Sequence, residues 1–302
     1  MACLSLGFPG RRLHADSAVL TSVADTTLIE AAPDNNLGGA PIVNAGTTQT
    51  FTRNRGLFRF DIASEIPPGS RITRVDFVVA VTGKPNEPPP PSTFGLHRVL
   101  KPWGEGDKAS PDPLHPGLGA QATTDEATWK ARFAFTTNNW TVPGGGATND
   151  FAPEISAETV VYDTGDSPYT FSSTPALVAD AQAWLDDPTT DFGWMIICES
   201  EEINFTARRF ASREDPDPDN APQVLIEYVP PAIEQVQSTG SQLTFSFTAQ
   251  AGQGYTVEFR DSISALLNWS TLTNFAAQPA STNIVVSDAI TNRQRFYRLR
   301  LP

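Results

Sequence analysis

The sequence predicts an all-β protein: an antiparallel β-sandwich with one short helix, followed by a small fibronectin-like β-sandwich. Three observations predict it. Apolar and polar residues alternate with period two in many short runs, as in Arg55-Gly56-Leu57-Phe58-Arg59-Phe60-Asp61-Ile62. The 26 Pro and 21 Gly are scattered between those runs, as turns between short strands require. Helical spacing stands out in one segment, Leu177 to Leu185.

Leu20, Val23, Leu28 and Ile29 open the chain's strands among Thr, Ser and Asp. Pro33-Asp34-Asn35-Asn36-Leu37-Gly38-Gly39 reads as a loop, because such residues supply φ > 0 or bond their own backbone. Arg55 to Ile62 is a half-buried strand, and Pro67-Pro68-Gly69 turns the chain. Ile72, Val75, Phe77, Val79 and Val81 carry the next strand. The Pro run within Lys84 to Pro91 is a loop, since Pro cannot donate to a ladder. A strand at Phe94 to Leu100 ends at Trp103-Gly104-Glu105-Gly106, and Asp107 to Gly119 is irregular.

The helix has its own punctuation. Ser173-Thr174 caps it, Pro175 fits its first turn, and Asp186-Asp187-Pro188 stops it. Leu177, Val178, Ala181, Trp184 and Leu185 form its apolar face. Strands follow at Phe192 to Cys198, Phe205 to Ala211 and Gln223 to Tyr228, and Pro230-Pro231 reads as a hinge. Beyond it, Leu243 to Phe247, Tyr255 to Phe259, Ile284 to Val286 and Phe296 to Leu299 alternate as strands of a second, small domain. The expected division is a leader or remnant signal segment at 1–15, the larger β-sandwich at 16–229 and the small β-domain at 232–302.

A formal net charge of -13 opposes nucleic-acid binding and suits an extracellular protein that holds Ca²⁺. No run approaches the roughly 20 apolar residues of a membrane span. In the leader the apolar piece Ala2 to Phe8 precedes Arg11-Arg12, the reverse of an export signal. Cys3 and Cys198 form no disulfide framework, and Cys198 in its apolar run reads as a buried thiol.

Several strings then carry a resemblance: Ala24-Asp25-Thr26-Thr27-Leu28, Asn36-Leu37-Gly38, Arg59-Phe60-Asp61-Ile62 and Ile66 to Ile72. They continue with Trp103-Gly104-Glu105-Gly106, Ala127-Thr128-Trp129, the helix ending in Trp184, Phe192-Gly193-Trp194, Phe210 to Glu214 and Pro222 to Tyr228. In this order, from about Asp16 to Val229, they resemble a DNRLRE (disaggregatase-related) domain, a family related to alginate-type carbohydrate-binding modules. The resemblance implies a jelly roll, export to the cell exterior or surface, and association with polysaccharide. Tyr255 to Asp261, Asn268 to Leu272 and Arg295 to Leu299 are similar to a small C-terminal β-domain of secreted bacterial proteins.

Sugar recognition needs flat apolar faces for pyranose C–H surfaces and planar groups for the hydroxyls. Trp103, Trp129 and Trp140 are the aromatic candidates, Trp103 and Trp140 beside Gly-rich loops, where packing under a loop is the plainer reading; Trp184 and Trp194 read as core. Arg53, Arg55 and Arg59 share a strand face, and Arg208, Arg209 and Arg213 cluster on another. Of these, Arg55, Arg208 and Arg213 are the candidate forks for uronate carboxylates; the net charge works against an anionic ligand, and salt bridges to the chain's acids are the plainer reading. Asp25, Asp34 and Asn36 offer hard oxygens for Ca²⁺, although turns and caps account for the same residues. Asp215-Pro216-Asp217-Pro218-Asp219 reads as a solvated loop.

Catalytic motifs are thin. His14, His97 and His115 lack a nucleophile motif, and only Glu105 with Asp125 or Glu126 suggests a glycosidase pair. The expected function is therefore non-catalytic binding of extracellular or cell-wall polysaccharide. A self-associating surface or filament subunit, and a polysaccharide lyase or hydrolase, are the alternatives.

Overall fold

A computed structural model of the chain describes residues 15–85, 90–262, 268–289 and 294–300. The expected leader up to His14, including Cys3, lies outside the described residues. The fold is all-β. Two compact units emerge: Ser17–Glu65 with Arg74–Ile226, and Ile66–Thr73 with the chain from Glu227 on.

The strands of the sandwich, in chain order, are β1 (Asp16–Thr21), β2 (Ala24–Ile29), β3 (Asn35–Asn36), β4 (Ile42–Thr47), β5 (Arg53–Arg59), β6 (Arg71–Val79) and β7 (Val81–Gly83). They continue with β8 (Ser92–Arg98), β9 (Ala120–Gln121), β10 (Ala157–Val161), β11 (Tyr169–Phe171), β12 (Trp194–Cys198), β13 (Arg208–Ala211) and β14 (Gln223–Val229). One sheet has the order β1-β14-β6-β11. The larger runs β10-β8-β12-β5-β4-β13-β7, with β2 also on β5. β3 and β9 form a two-stranded ribbon.

Alternation explains the core. Phe77 of β6 points its ring at Phe58 (5.4 Å), Phe171 (5.5 Å), Phe60 (5.7 Å) and Trp194 (6.4 Å). These tilted and edge-on pairs add to the burial of the largest side chains in the fold. In register, Trp194 lies opposite Phe58 on β5 and Arg98 on β8.

A one-turn helix α1 (Ile62–Glu65) interrupts the run that alternation extends as strand to Ile62. Asp61 Oδ1 accepts from Ser64 N at 3.2 Å, a cap that competes with the ladder. The predicted helix is α2 (Pro175–Asp186), with Pro175 in its first turn and Thr174 Oγ1 accepting from Leu177 N at 3.0 Å. Its buried Trp184 meets Trp194 edge-on at 4.5 Å.

The larger sheet is not half-buried. On its second face Leu28, Leu57, Met195 and Ile197 pack with Val99, Trp103, Ala127, Trp129, Trp140 and Phe151. Most of the chain from Lys101 to Ser156 lacks regular structure, far more than the expected Asp107 to Gly119, and it roofs this face. Crossing bonds hold it: Ala127 N to Gly104 O (2.7 Å), Gly104 N to Arg132 O (3.1 Å) and Leu100 N to Asp150 O (2.8 Å).

The C-terminal strands are β15 (Glu234–Thr239), β16 (Gln242–Ala249), β17 (Tyr255–Arg260), β18 (Ser270–Phe275), β19 (Thr282–Ala289) and β20 (Phe296–Arg300). Sheets β15-β16-β19 and β18-β17-β20 enclose Phe245, Phe247, Tyr255, Val257 and Val286. This is the expected small sandwich. β15 escaped the sequence reading because Val236 is its one apolar residue and the strand is nearly all exposed.

Candidate functional site

The arginines of β5 share a face, as alternation predicts, but that face is roofed. Arg53 and Arg55 lie over the Trp129 ring at 5.3 and 5.9 Å, and Arg59 over Trp103 at 5.8 Å. Arg53 grips Glu30 through Nε (3.0 Å) and Nη2 (2.5 Å). Arg55 grips Glu201 through Nε (2.8 Å) and Nη2 (2.7 Å), and its Nη1 donates to Gly144 O and Gly145 O.

Four candidate sugar contacts are corrected by this packing. Trp103 and Trp140 are each 4% exposed, with their indole N–H groups spent on Phe192 O and Thr128 O. Arg55 is consumed by the roof. Arg208 is 1% exposed, and its guanidinium donates to the carbonyls of Tyr162, Thr206, Pro90 and Val161. A ring or fork filled by the protein's own groups has nothing left for a pyranose.

The chemistry instead concentrates where β2, the Glu105 loop and the segment after β13 meet. Asp25, 1% exposed, accepts on Oδ2 from Ser22 Oγ and Arg213 N, both at 2.9 Å. Its own N–H donates to Glu105 Oε1 at 2.8 Å. Arg213 bridges the acids, with Nε 2.6 Å from Glu105 Oε1 and 2.9 Å from Glu214 Oε1. Glu214 Oε2 is buried and has no hydrogen-bond partner. Desolvation pushes Asp25 up to about 7 against the pull of the Arg213 N–H, and the Glu214 charge adds to the rise. Desolvation also raises Glu214.

Asp25, Glu105 and Glu214 each place a carboxylate oxygen within 4.8 Å of the other two. Hard oxygens at that spacing have the chemistry a divalent cation takes, although the Arg213 guanidinium already pairs with two of the three acids. The expected ligands Asp34 and Asn36 lie outside this group. Asp34 pairs with Lys130 at the surface (2.7 Å). Asn36 donates to Glu105 O (2.7 Å) and Ala127 O (2.9 Å) while its Oδ1 accepts from Gly38 N (2.9 Å), so the amide is a strut. The loops touch so closely that a β-carbon on Gly38 would overlap the Glu105 carbonyl. Sequence reading named Glu105 only as a glycosidase acid and overlooked Glu214. Its position next to Arg213 in one string was the available signal.

The other candidate groups are engaged too. Glu126 holds Lys108 Nζ (2.9 Å) and Thr123 N (2.6 Å). His97 is buried between Ala152 O (3.0 Å) and Glu199 (3.2 Å), and His115 pairs with Asp112 at the surface. Cys198 is a buried free thiol, raised by desolvation. Asp215 and Asp217 cap their own turn, accepting from Asp217 N and Asp219 N.

No protein-family model and no curated protein matches this sequence. Among solved structures, the chain aligns with a β-1,2-glucanase from Parabacteroides distasonis at 8% identity and a TM-score of 0.19, over 97% of this chain and 35% of that one. The chain thus spans about a third of that protein, and a score this low does not indicate a shared fold. No helix among the described residues is long and apolar enough to cross a membrane.

Proposed function

We propose that this chain is a non-catalytic, DNRLRE-type module that binds polysaccharide outside the cell or at its surface. One observation carries the reading: five of the ten strings on which the resemblance rests, far apart in sequence, meet in one place. Asp25, Asn36, Gly38, Glu105, Ala127, Arg213 and Glu214 are joined by direct hydrogen bonds or ion pairs.

The same reading assigns a Ca²⁺ to Asp25, Glu105 and Glu214. The buried, unbonded Glu214 Oε2 supports this, because an oxygen stripped of water and left without a donor is costly. A polysaccharide array probed with and without chelator tests both parts. Retention on at least one polysaccharide is expected. Retention on none ends the reading, and release of new reducing ends or unsaturated uronates makes the protein an enzyme.

A further inference from the structure

Charge is divided unevenly along the chain. Residues 232–302 hold five arginines against four acids, a net of +1, so the rest of the chain carries -14. The described arginines of the small sandwich fall into two groups. Arg295 closes on Asp261 and Asp288, both at 2.8 Å. Arg260, Arg298 and Arg300 line the outward face of the β18-β17-β20 sheet. Register sets Arg298 opposite Glu258 and Arg300 opposite Thr256. Alternation puts Arg260 on the same face, while Tyr255, Val257 and Leu299 point into the core.

A ladder of side chains crosses this face. Arg260 and Arg298 each lie over the Trp269 ring at 4.4 Å. Arg298 and Arg300 donate from Nε to the two oxygens of one carboxylate, Glu258, at 2.7 and 2.9 Å. Both arginine side chains are about half exposed, at 45% and 51%, and neither has a hydrogen bond from a Nη group among the described residues. Folding alone does not call for this surplus. One arginine neutralises Glu258, and a second on the same sheet face adds a like charge beside the first, which costs stability. Stacking on the indole holds the Arg298 plane in place and leaves the outer edge of its fork unused.

We infer that this arginine face docks on the acidic larger sandwich of a second copy, joining copies head to tail. The occupant follows from charge. Open guanidinium forks call for carboxylates, and the chain ahead of the small sandwich supplies them in excess, at -14. The two signs sit on separate units of one chain, which is the complementarity a contact between unlike surfaces of two copies needs. The net charge of each copy opposes the approach, so the contact forms with the arginine face leading and its strength depends on salt. Joined this way, a pair keeps one arginine face and one acidic unit uncovered, so the contact extends into rows of copies unless its rotation closes a ring.

Sedimentation velocity of the full chain over a concentration series tests the contact, at about 0.1 M and about 1 M salt, where charges act over roughly 10 Å and 3 Å. Mass is expected to climb with concentration at the lower salt and to return to the monomer at the higher. Arg298→Gln combined with Arg300→Gln should weaken assembly by about tenfold or more. Arg300→Gln alone keeps the Arg298–Glu258 pair, so it should weaken assembly while melting with the wild type, which separates contact from folding. Arg209→Gln, at an exposed arginine of the larger sandwich, is expected to assemble as wild type. A monomer at every concentration in the lower salt, assembly that the higher salt leaves intact, or wild-type assembly by the double variant overturns the contact. Two other results overturn it by giving the face another occupant. A monomer that grows more compact as salt falls has the face turned on its own acidic unit. A monomer that alginate retards and dextran does not, through Arg298 and Arg300, has it on an anionic polysaccharide.

Discussion

The backbone N–H of Arg213 donates to Asp25 Oδ2 across 188 residues of chain, at 2.9 Å. The same arginine's Nε holds Glu105, whose Oε1 also accepts from Asp25 N. The ring so closed pins β2, the Glu105 loop and the exit of β13 to one another. It also buries the Asp25 carboxyl group, and desolvation together with the Glu214 charge favours its protonated form.

Asp25 sets a direction for stability against pH. Its folded value of about 7 lies above its ordinary 3.8, so between those values the folded state holds a proton that the unfolded state has lost. The stability this group contributes is full below about pH 4 and declines as pH rises through 7. In Asp25→Asn the slope of stability in that window should become less negative by up to about 1.4 kcal/mol per pH unit. Urea titrations at several pH values measure it; an unchanged slope removes Asp25 from the account.

Calcium should act in the opposite sense to protons. Binding requires ionised carboxylates, so the rise in melting temperature on adding Ca²⁺ should be larger at pH 8 than at pH 5. At a hundredfold excess over Kd the rise should be on the order of 5 °C. Glu214→Gln should abolish most of it. Identical melting curves with Ca²⁺ and with chelator at pH 8 would sink the assignment.

Arg208 is a folding residue. Its guanidinium satisfies four carbonyls from three segments of the protein, so Arg208→Ala leaves several of them buried and unpaired. A loss of about 3 kcal/mol or more is expected from urea unfolding, and Arg208→Lys should recover only part of it. A stable Arg208→Ala protein that loses glycan retention would contradict this role.

Trp140 belongs to the roof. Trp140→Ala should destabilise by about 3–5 kcal/mol, as cavities left by large aromatics do, while glycan retention per folded molecule stays unchanged. The reverse outcome, normal stability with lost retention, would restore Trp140 as a sugar contact.

Local patterns were legible where a regular period exists. Phe58, Phe77 and Trp194 alternate along their strands and meet in the core, and Thr174 and Pro175 mark the start of α2. The roof was not legible. Trp103, Trp129, Trp140 and Phe151 sit at irregular intervals among turn formers, so nothing in their spacing shows that they bury one common face. The clasp was half legible. Asp25, Glu105, Arg213 and Glu214 lie in the quoted strings, but separations of 80, 108 and 188 residues hide that they touch.

By itself the sequence determined the β alternation, the capped helix and the acidic character of the chain, because each depends on neighbours within a few residues. Only the tertiary structure decided which tryptophans are covered, which arginines are spent and which phenyl rings are left bare. Exposure depends on what packs against a residue, and here the covering segment comes from elsewhere in the chain.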